Sequence, residues 1–365
     1  MRAALLETAG KPLVIADDIA IEEPGAGQVR VRIKNCGICH SDLSVIDGAF
    51  PSTLPVILGH EAAGVVDAVG EGVSLVKAGD RVVMTPVPPC GRCYWCIRGE
   101  TSLCSEAVGI ATNTFPDGTT GLSRDGNIVY RGLNVAAFAE YVVAPETAAV
   151  KIPDDVPLEV ACVIGCAVQT GVGAVLNTAQ VEEGATVLVM GLGGIGLSVV
   201  QGARLAGASR ILASDPVAER REAAKQFGAT DLLDPGQENI VLRTHEITGV
   251  GADYAFETAG VASLVSEGFS ATRNGGTVVC VGAPPMDQGI EITPAALFTV
   301  SGKSLMGCVL GSVNSLHEIP RMIALWQAGR LDLEGLITAR RPLDEINEAL
   351  DDLRASRGIR TVLSI

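Results

Sequence analysis

The stretch TVLVMGLGGIG, residues 186–196, decides how the middle of this 365-residue chain folds. Its first five residues are mostly apolar and predict a buried strand. The next six match the pattern G-x-G-x-x-G, and a helical pattern begins there. Glycines at these positions permit a tight turn and let main-chain N–H groups approach a pyrophosphate at the helix N-terminus. A strand before the motif and a helix after it predict a dinucleotide-binding site, whose contacts would be Gly191, Gly193, Gly194, Ile195 and Gly196.

Strand-like and helical runs alternate from about residue 186 onward. This alternation is typical of βαβ units and a parallel sheet. The predicted strands cover residues 186–190, 210–213, 253–256 and 277–281. Helices are predicted near residues 315–328 and 343–355, and a returning strand over residues 360–365.

The first 150 residues have a different pattern. Short alternating runs, such as residues 29–33 and 62–66, are interrupted by Gly, Pro and Asp, as in a barrel or sandwich. At 365 residues the chain is also too long for one ordinary core. We therefore predict an α/β protein with a β-rich domain and a parallel-sheet domain.

A carboxylate stands at the end of the second predicted parallel strand. Asp215 can accept hydrogen bonds from the hydroxyls of an adenosine ribose, and it would repel a 2′-phosphate. This predicts NAD rather than NADP as the cofactor. A second interpretation is a helix cap, because Asp215 precedes Pro216 and a new helical segment. The two roles are compatible.

Composition and charge exclude several classes of protein. Apolar residues make up 47% and charged residues 19%, which fits a globular protein and not a disordered one. The net charge of −15 would repel nucleic acid and anionic membranes, so neither is expected as a partner. The N-terminal residues contain no apolar signal segment, and no apolar run reaches membrane-spanning length. We expect a cytoplasmic protein.

Four of the ten cysteines lie close together in sequence, Cys90, Cys93, Cys96 and Cys104. They supply four thiolates within one loop, enough to close a tetrahedral shell around a structural Zn²⁺ ion. Iron–sulfur clusters use similar cysteine spacings, so spacing alone leaves both metals open. Disulfides explain the cluster poorly, because the expected compartment is reducing. Four other cysteines are expected to pack as small apolar side chains: Cys36, Cys162, Cys280 and Cys308.

Several short motifs follow one another in an order typical of a single family. They are GICHSD at residues 37–42, GHE at 59–61, GC at 165–166, VGAPP at 281–285 and IRTV at 359–362. Together with the four-cysteine loop and the glycine motif, they resemble the zinc-containing medium-chain alcohol dehydrogenases over nearly the whole chain. So many independent motifs in one order make coincidence implausible.

The resemblance implies a catalytic zinc ion held by Cys39, His60 and Cys166, which are too far apart in sequence for spacing to join them. Three protein ligands leave a fourth position for water or the substrate oxygen, as is known for alcohol dehydrogenases. Asp42 would orient His60, and Glu61 would lie beside the metal. The alternative is that these side chains only pack in a core.

The same resemblance implies a reaction and a proton path. Zinc would act as a Lewis acid that lowers the pKa of a bound alcohol, while hydride passes to the nicotinamide ring. Ser41 would take the alcohol proton and pass it through the nicotinamide ribose, unless its hydroxyl only bonds to local backbone. Many relatives carry a histidine three residues later, where this chain has Ser44. The last step of the proton path therefore stays open.

Further cofactor contacts follow from the resemblance as well. His40 and Arg360 match positions that contact the pyrophosphate, and Arg220 matches a cation near the adenosine ribose. Each is alternatively an ordinary surface cation. The remaining implied cofactor contacts are Thr170, Val281, Cys308 and Leu310.

The implied substrate pocket is apolar. Its wall would consist of residues for which core packing is the alternative: Phe50, Pro86, Leu133, Ala283 and Val309. Such a wall favours a small apolar primary alcohol, which could be aromatic or allylic, as the substrate. The enzyme would oxidise this alcohol reversibly to its aldehyde. The branch that oxidises glutathione adducts of formaldehyde carries an arginine at the position of Val108 and acidic residues near Phe50. Both features are replaced here, so glutathione adducts are poor candidates.

Three other functions are compatible with parts of the pattern. A nicotinoprotein alcohol dehydrogenase would keep NAD permanently bound, and a glutathione-dependent formaldehyde dehydrogenase would share most motifs. A non-catalytic NAD- and zinc-binding redox sensor is the alternative outside enzymology. The presence of every catalytic ligand and of Ser41 argues against the sensor and against a zinc-free quinone reductase.

The predicted architecture is a GroES-like catalytic domain from residues 1–167 and 310–365, carrying both zinc sites, with a Rossmann domain from residues 168–309 inserted. The cleft between the domains would hold zinc, nicotinamide and substrate. Relatives in this family form dimers or tetramers, so we expect a homodimer or a homotetramer. Apart from other copies of the same chain, its expected partners are the small alcohol and its aldehyde.

Overall fold

The computed structural model describes residues 1–107 and 109–365, and these divide into two units. The first unit consists of Met1–Ala167 and Asn314–Ile365, and the second of Val168–Val313. Residues 310–313 were predicted in the catalytic domain but belong to the second unit. The reason is the turn Leu310–Ser312, where the main chain of Gly311 lies against Gln169 and Gly173.

Strands are numbered in chain order. Before residue 152 they are β1 (Ala3–Leu6), β2 (Val14–Ala16), β3 (Ala20–Ile21), β4 (Gln28–Gly37), β5 (Val56–Ile57), β6 (Glu61–Val69), β7 (Arg81–Met84), β8 (Leu122–Arg124), β9 (Asn127–Ile128), β10 (Tyr130–Arg131), β11 (Tyr141–Pro145) and β12 (Ala149–Lys151). In the second unit they are β13 (Thr186–Met190), β14 (Arg210–Ser214), β15 (Asp231–Leu233), β16 (Ala252–Glu257), β17 (Thr272–Cys280) and β18 (Ser304–Gly307). The returning strands of the first unit are β19 (Ile337–Pro342) and β20 (Arg360–Ser364).

Helices are numbered in the same way. They are α1 (His40–Ile46), α2 (Tyr94–Ile97), α3 (Gly109–Thr112), α4 (Leu158–Ala161), α5 (Ala167–Gly173), α6 (Gly194–Leu205), α7 (Ala218–Phe227), α8 (Ile240–Thr248), α9 (Ala262–Ala271), α10 (Ala295–Ser301), α11 (Ser315–Gln327) and α12 (Ile346–Arg354). Short 3-10 turns cover Thr101–Leu103, Ser105–Ala107, Gly132–Asn134, Glu146–Ala148, Cys162–Gly165, Leu310–Ser312, Glu334–Leu336 and Leu343–Glu345, and Ala174–Thr178 is a π-helical turn. In the described part of the chain no single helix is long and apolar enough to cross a membrane, while one bent pair, Leu158–Gly165 with Ala167–Thr178, passes on length and composition alone.

The second unit contains the parallel sheet that the alternating pattern predicts. Its strand order is β15-β14-β13-β16-β17-β18, and every neighbouring pair is parallel. This is the doubly wound order in which the chain starts in the middle of the sheet, at β13. Residues 187–190 are all buried, as expected for a strand covered on both faces. The predicted Rossmann fold class is confirmed.

The first unit is built on a mainly antiparallel sheet. Its strand order is β12-β7-β6-β4-β20-β19, and β11 pairs with β4 as well. The long strands β4 and β6 run antiparallel, with Val29 opposite Val69 and Gly37 opposite Glu61. The end of β4 therefore lies beside the start of β6. This register brings residues near 39 and near 60 to the same edge of the sheet.

The turn after β13 depends on two glycines. Gly191 has a φ of +94°, a left-handed conformation that L side chains rarely adopt. A Cβ at Gly196 would collide with the main-chain oxygen of Gly191, so only glycine lets α6 start this close to the strand. Gly193 differs, because a Cβ there would meet no protein atom within 4 Å. The space beside Gly193 is therefore open, as the approach of a pyrophosphate requires.

This contrast predicts two different outcomes for one added methyl group. We expect Gly196→Ala to lower thermal stability, because overpacking costs about 1–3 kcal/mol. Gly193→Ala should leave the melting temperature nearly unchanged, yet weaken the binding of a dinucleotide such as NADH by about 1–3 kcal/mol, roughly five- to 150-fold. Differential scanning calorimetry and NADH fluorescence titration measure the two effects. Equal loss of stability in both variants would contradict this account of the turn.

Candidate metal and dinucleotide sites

Four potential metal ligands from distant parts of the chain meet in the first unit. One ligand atom from each of Cys39, His60, Glu61 and Cys166 lies within 4.8 Å of all the others. Cys39, His60 and Glu61 are at most 5% exposed. Donor atoms around one Zn²⁺ at about 2.0–2.3 Å are at most about 4.6 Å apart, so the cluster can hold one ion with little movement.

Local chain geometry explains why these residues meet. Cys39 is the N-cap residue of α1, two residues after the end of β4, and His60 directly precedes β6. Because Gly37 and Glu61 are cross-strand partners, both ligands lie at one end of the same strand pair. Gly165 lets the turn before Cys166 pass close to β7, since a Cβ there would lie 2.7 Å from a main-chain oxygen at Met84.

Asp42 is fully buried and connects the two segments. Its Oδ2 atom accepts a hydrogen bond from the N–H of Cys39 at 3.0 Å, and its Oδ1 atom accepts one from the N–H of Gly59 at 3.0 Å. The same Oδ1 atom lies 3.4 Å from His60 Nδ1. The other ring nitrogen of His60, Nε2, lies 3.2 Å from the Ser41 hydroxyl.

Glu61 is paired with Arg360. Arg360 Nη2 lies 2.9 Å from Glu61 Oε1, and Nη1 donates to the main-chain oxygen of Ile38 at 2.8 Å. Beyond this ion pair, neither carboxylate oxygen accepts a hydrogen bond within the described residues. Burial raises the pKa of Glu61 to about 8, although Arg360 opposes the shift. Arg360, predicted at the pyrophosphate, is 4% exposed and has its guanidinium on this carboxylate.

The two thiols of the cluster have pKa values shifted in opposite directions. A hydrogen bond between Cys166 and Cys39 lowers the pKa of Cys39 well below its usual value and raises that of Cys166 well above it. Arg360 further favours the Cys39 thiolate. Two sulfurs, one imidazole nitrogen and a nearby carboxylate form a donor set that suits Zn²⁺.

The four clustered cysteines form a second candidate metal site. Their sulfur atoms all lie within 4.8 Å of one another, and those of Cys93 and Cys104 are 3.9 Å apart. Two thiolates on one tetrahedral Zn²⁺ would be about 3.8 Å apart. Main-chain N–H groups of Cys90, Cys93 and Cys96 donate to sulfurs of the same cluster at 3.3–3.4 Å.

These N–H groups favour thiolates in part of the cluster. The N–H of Cys96 above all lowers the pKa of Cys93 to about 5. Burial raises the pKa of Cys104 to about 12. A divalent cation at the centre of the four sulfurs would remove the burial penalty on that thiolate. With four protein ligands the site has no open position, which suits a structural ion.

Asp215 follows β14 and is 4% exposed. Its Oδ2 atom accepts a hydrogen bond from the N–H of Leu192 at 2.7 Å, inside the glycine turn. Its Oδ1 atom accepts one from the N–H of Val217 at 2.8 Å, the N-cap residue of α7. The carboxylate therefore lies beside the turn and also supports the start of the helix, so the geometry is compatible with both interpretations made from the sequence.

The other predicted cofactor residues of the second unit lie at the same edge of the sheet. Val281 follows β17, and Cys308 and Leu310 follow β18. Because all these strands are parallel, their carboxyl ends coincide with the end of β13, where the glycine turn begins. Within the same unit, Thr170 on α5 and Arg220 on α7 are buried. In the first unit, His40 is exposed on α1.

The predicted pocket residues fall into two groups. Phe50 packs against the apolar cluster of the first unit, which contains Leu133. Pro86 is buried, and its main-chain oxygen accepts a hydrogen bond from Asn134 beside Leu133 at 2.9 Å. Ala283 and Val309 are exposed residues of the second unit. Val108, the position that argued against glutathione adducts, lies outside the described residues.

Two supporting residues were missed by sequence reasoning. Thr258, just after β16, donates its hydroxyl hydrogen bond to the main-chain oxygen of Gly191 at 2.7 Å and so holds the glycine turn. Arg131 is 1% exposed and donates to main-chain oxygens of Asn134 and Val143 at 2.9 and 3.1 Å. Thr258 directly follows an apolar strand, which was an available signal. No pattern in the sequence pointed to Arg131.

Comparisons with known proteins agree with this arrangement. A family model described as an alcohol dehydrogenase GroES-like domain matches residues 25–154, and a zinc-binding dehydrogenase model matches residues 194–328. An alcohol dehydrogenase zinc-binding domain protein from Burkholderia ambifaria is 35% identical, with 100% of this chain and 98% of that chain covered and a TM-score of 0.93.

Two further solved structures add detail. Benzyl alcohol dehydrogenase from Acinetobacter calcoaceticus is 32% identical, with 100% of this chain and 99% of that chain covered and a TM-score of 0.94. A zinc-binding dehydrogenase from Sinorhizobium meliloti 1021, solved with NADP, is 28% identical, with the same coverage and a TM-score of 0.81. Fold, motifs and relatives agree, and the chain belongs to the zinc-type alcohol dehydrogenases of the medium-chain dehydrogenase/reductase family.

Proposed function

We propose that this chain interconverts a small apolar primary alcohol and its aldehyde, with Zn²⁺ at Cys39, His60 and Cys166 and with NAD as hydride acceptor. The observation that carries the proposal is the meeting of these ligands within 4.8 Å, together with Glu61. When bound, zinc supplies Lewis acidity toward the alcohol oxygen, and the dinucleotide accepts the hydride.

Ser41 is the residue that we assign to the alcohol proton. It lies on α1 one residue after His40, and its Oγ atom is 3.2 Å from His60 Nε2, so the hydroxyl is at the ligand cluster. A group this close can accept a proton from an oxygen held beside the same nitrogen. Ser44 is differently engaged, because its hydroxyl donates to the main-chain oxygen of His40 at 3.0 Å.

The proposed substrate class follows from the apolar side chains that the sequence assigns to the pocket. In the first unit, Phe50, Pro86 and Leu133 present no charge to a ligand. Such a surface stabilises an apolar alcohol by excluding water from it. Similarity to a benzyl alcohol dehydrogenase at 32% identity supports an aromatic alcohol as a member of this class.

NAD is the proposed cofactor because of Asp215. A buried carboxylate next to the glycine turn can accept hydrogen bonds from ribose hydroxyls and repels a 2′-phosphate. The second zinc ion is proposed at Cys90, Cys93, Cys96 and Cys104, where it would fix the loop that carries them.

Metal content tests both zinc sites. We expect two zinc ions per chain by elemental analysis. Cys166→Ala should abolish turnover and leave a folded protein with about one zinc. Cys96→Ala should impair folding, because metal binding at a four-thiolate site is coupled to folding. Cys162→Ala is the matched control, since Cys162 is buried but belongs to neither cluster. Iron with visible absorbance, or almost no metal, would refute the assignment.

Ser41→Ala tests the proton path. Loss of a positioned proton acceptor should lower the single-turnover rate by about 10²–10⁴. Ser44→Ala, three residues along the same helix, should lower it less than about threefold, because that hydroxyl only bonds to His40. Zinc content should be equal in both variants. A wild-type single-turnover rate in Ser41→Ala would show that the proton leaves by another route.

Asp215→Ala tests cofactor preference. Hydrogen bonds to a charged group contribute about 1.5–3 kcal/mol, so the KM for NAD should rise tenfold or more. The preference of the enzyme for NAD over NADP should become smaller. Asp253→Ala is the control, because Asp253 also accepts a main-chain hydrogen bond, from the N–H of Thr186 at 2.8 Å, but at the opposite edge of the sheet. An unchanged preference in Asp215→Ala would mean that Asp215 is only a cap.

A further inference from the structure

An ion pair lies directly beside Asp215 and has no part in the reaction described above. Arg221 on α7 donates Nη1 to the main-chain oxygen of Asp215 at 2.6 Å. Its Nη2 atom donates to Asp234 Oδ2, also at 2.6 Å. The side chain of Arg221 is 14% exposed and that of Asp234 is 29% exposed. The guanidinium is thus held between the proposed ribose-binding residue and a second carboxylate.

Asp234 is itself fixed in place. It directly follows β15, the neighbour of β14, so Asp234 and Asp215 lie at the same edge of the parallel sheet. Its Oδ1 atom accepts a hydrogen bond from the N–H of Gly236 at 2.9 Å, and its own N–H donates to Glu238 Oε1 at 2.9 Å. These bonds already restrict the Asp234 side chain, so pairing with Arg221 costs it little further conformational entropy.

A guanidinium at this edge of a Rossmann sheet is the group that would favour a 2′-phosphate. Arginine binds phosphate through paired N–H donors, and NADP-binding sites of this fold use an arginine near the ribose. Here two donors of Arg221 are committed, one to a carbonyl oxygen and one to a carboxylate. Its positive charge is compensated by Asp234 at contact distance.

We propose that Asp234 is a specificity-determining residue, which neutralises Arg221 beside Asp215 and so keeps the site selective against a 2′-phosphate. This inference rests on the proposed use of NAD. Asp215 repels the phosphate directly, whereas Asp234 neutralises Arg221, a cation that would otherwise attract it. Selectivity thus has two separable sources at the ends of two neighbouring strands.

The substitution Asp234→Asn tests the inference. Asparagine keeps the size of the side chain and one oxygen, which can accept from the N–H of Gly236 or from Arg221 but not from both. It also removes the negative charge. We expect the ratio of kcat/KM for NADP to that for NAD to rise about two- to fivefold, the effect of a partly exposed ion pair. The rise should shrink as salt is added, because screening weakens charge interactions.

A binding measurement makes the test independent of turnover. Calorimetric titrations of the zinc-loaded protein give its affinities for adenosine 2′,5′-bisphosphate and for AMP. We expect the ratio of the first affinity to the second to be about two- to fivefold higher in Asp234→Asn than in the wild-type protein. The double variant Asp234→Asn with Arg221→Gln should lose this gain, because the attracting cation is gone. Glu222→Gln is the charge-matched control, since Glu222 is exposed on the same helix and pairs with Lys225.

Each outcome bears on one conclusion. A gain that persists in the double variant, or an equal gain in Glu222→Gln, would overturn the role of the Asp234–Arg221 pair. An unchanged bisphosphate preference in Asp234→Asn would overturn it as well. Failure of the proposed function would be seen elsewhere, as a wild-type enzyme that prefers NADP or does not oxidise alcohols with either cofactor.

Discussion

Asp42 has no exposure to solvent, and its carboxylate is bonded to the N–H groups of Cys39 and Gly59. Burying an unpaired carboxylate costs several kcal/mol, so these bonds and the nearby His60 ring are required for the charge to stay there. Through these two hydrogen bonds the carboxylate connects the start of α1 with the start of β6. The positions of Cys39, Ser41, His60 and Glu61 all depend on this junction.

The balance of charges around the first-unit cluster explains why the cluster suits a divalent cation. Cys39, Cys166, Glu61 and Asp42 can carry negative charge within a buried region, and Arg360 is the cation that contacts Glu61. Desolvation of this many anions is unfavourable unless cations compensate it. Burial raises the pKa of Glu61 to about 8. A dication bound by the two sulfurs and the imidazole would compensate the negative charges of this region.

Local signals in the sequence predicted local structure well. The glycine turn, with its strand and helix, lies within residues 186–205, and the four sulfurs come from one loop, so spacing was sufficient for both. The candidate zinc ligands of the first unit are different, because Cys39 and His60 meet through the register of β4 with β6, which spacing does not encode. Only the family resemblance joined them. The Asp234–Arg221 pair was missed for the same reason, since its partners belong to a strand end and a helix brought together by the sheet order.

The place of β20 in the first-unit sheet has a consequence for synthesis of the protein. Val362 of β20 pairs with Gly37 of β4, which is made 325 residues earlier. At about 5–20 residues per second, that edge of β4 waits roughly 15–65 s on the ribosome for its partner. The inserted parallel-sheet unit is complete before then. An unpaired strand edge can associate with other chains, so this end of β4 is a potential site of aggregation in the nascent chain until β20 is added.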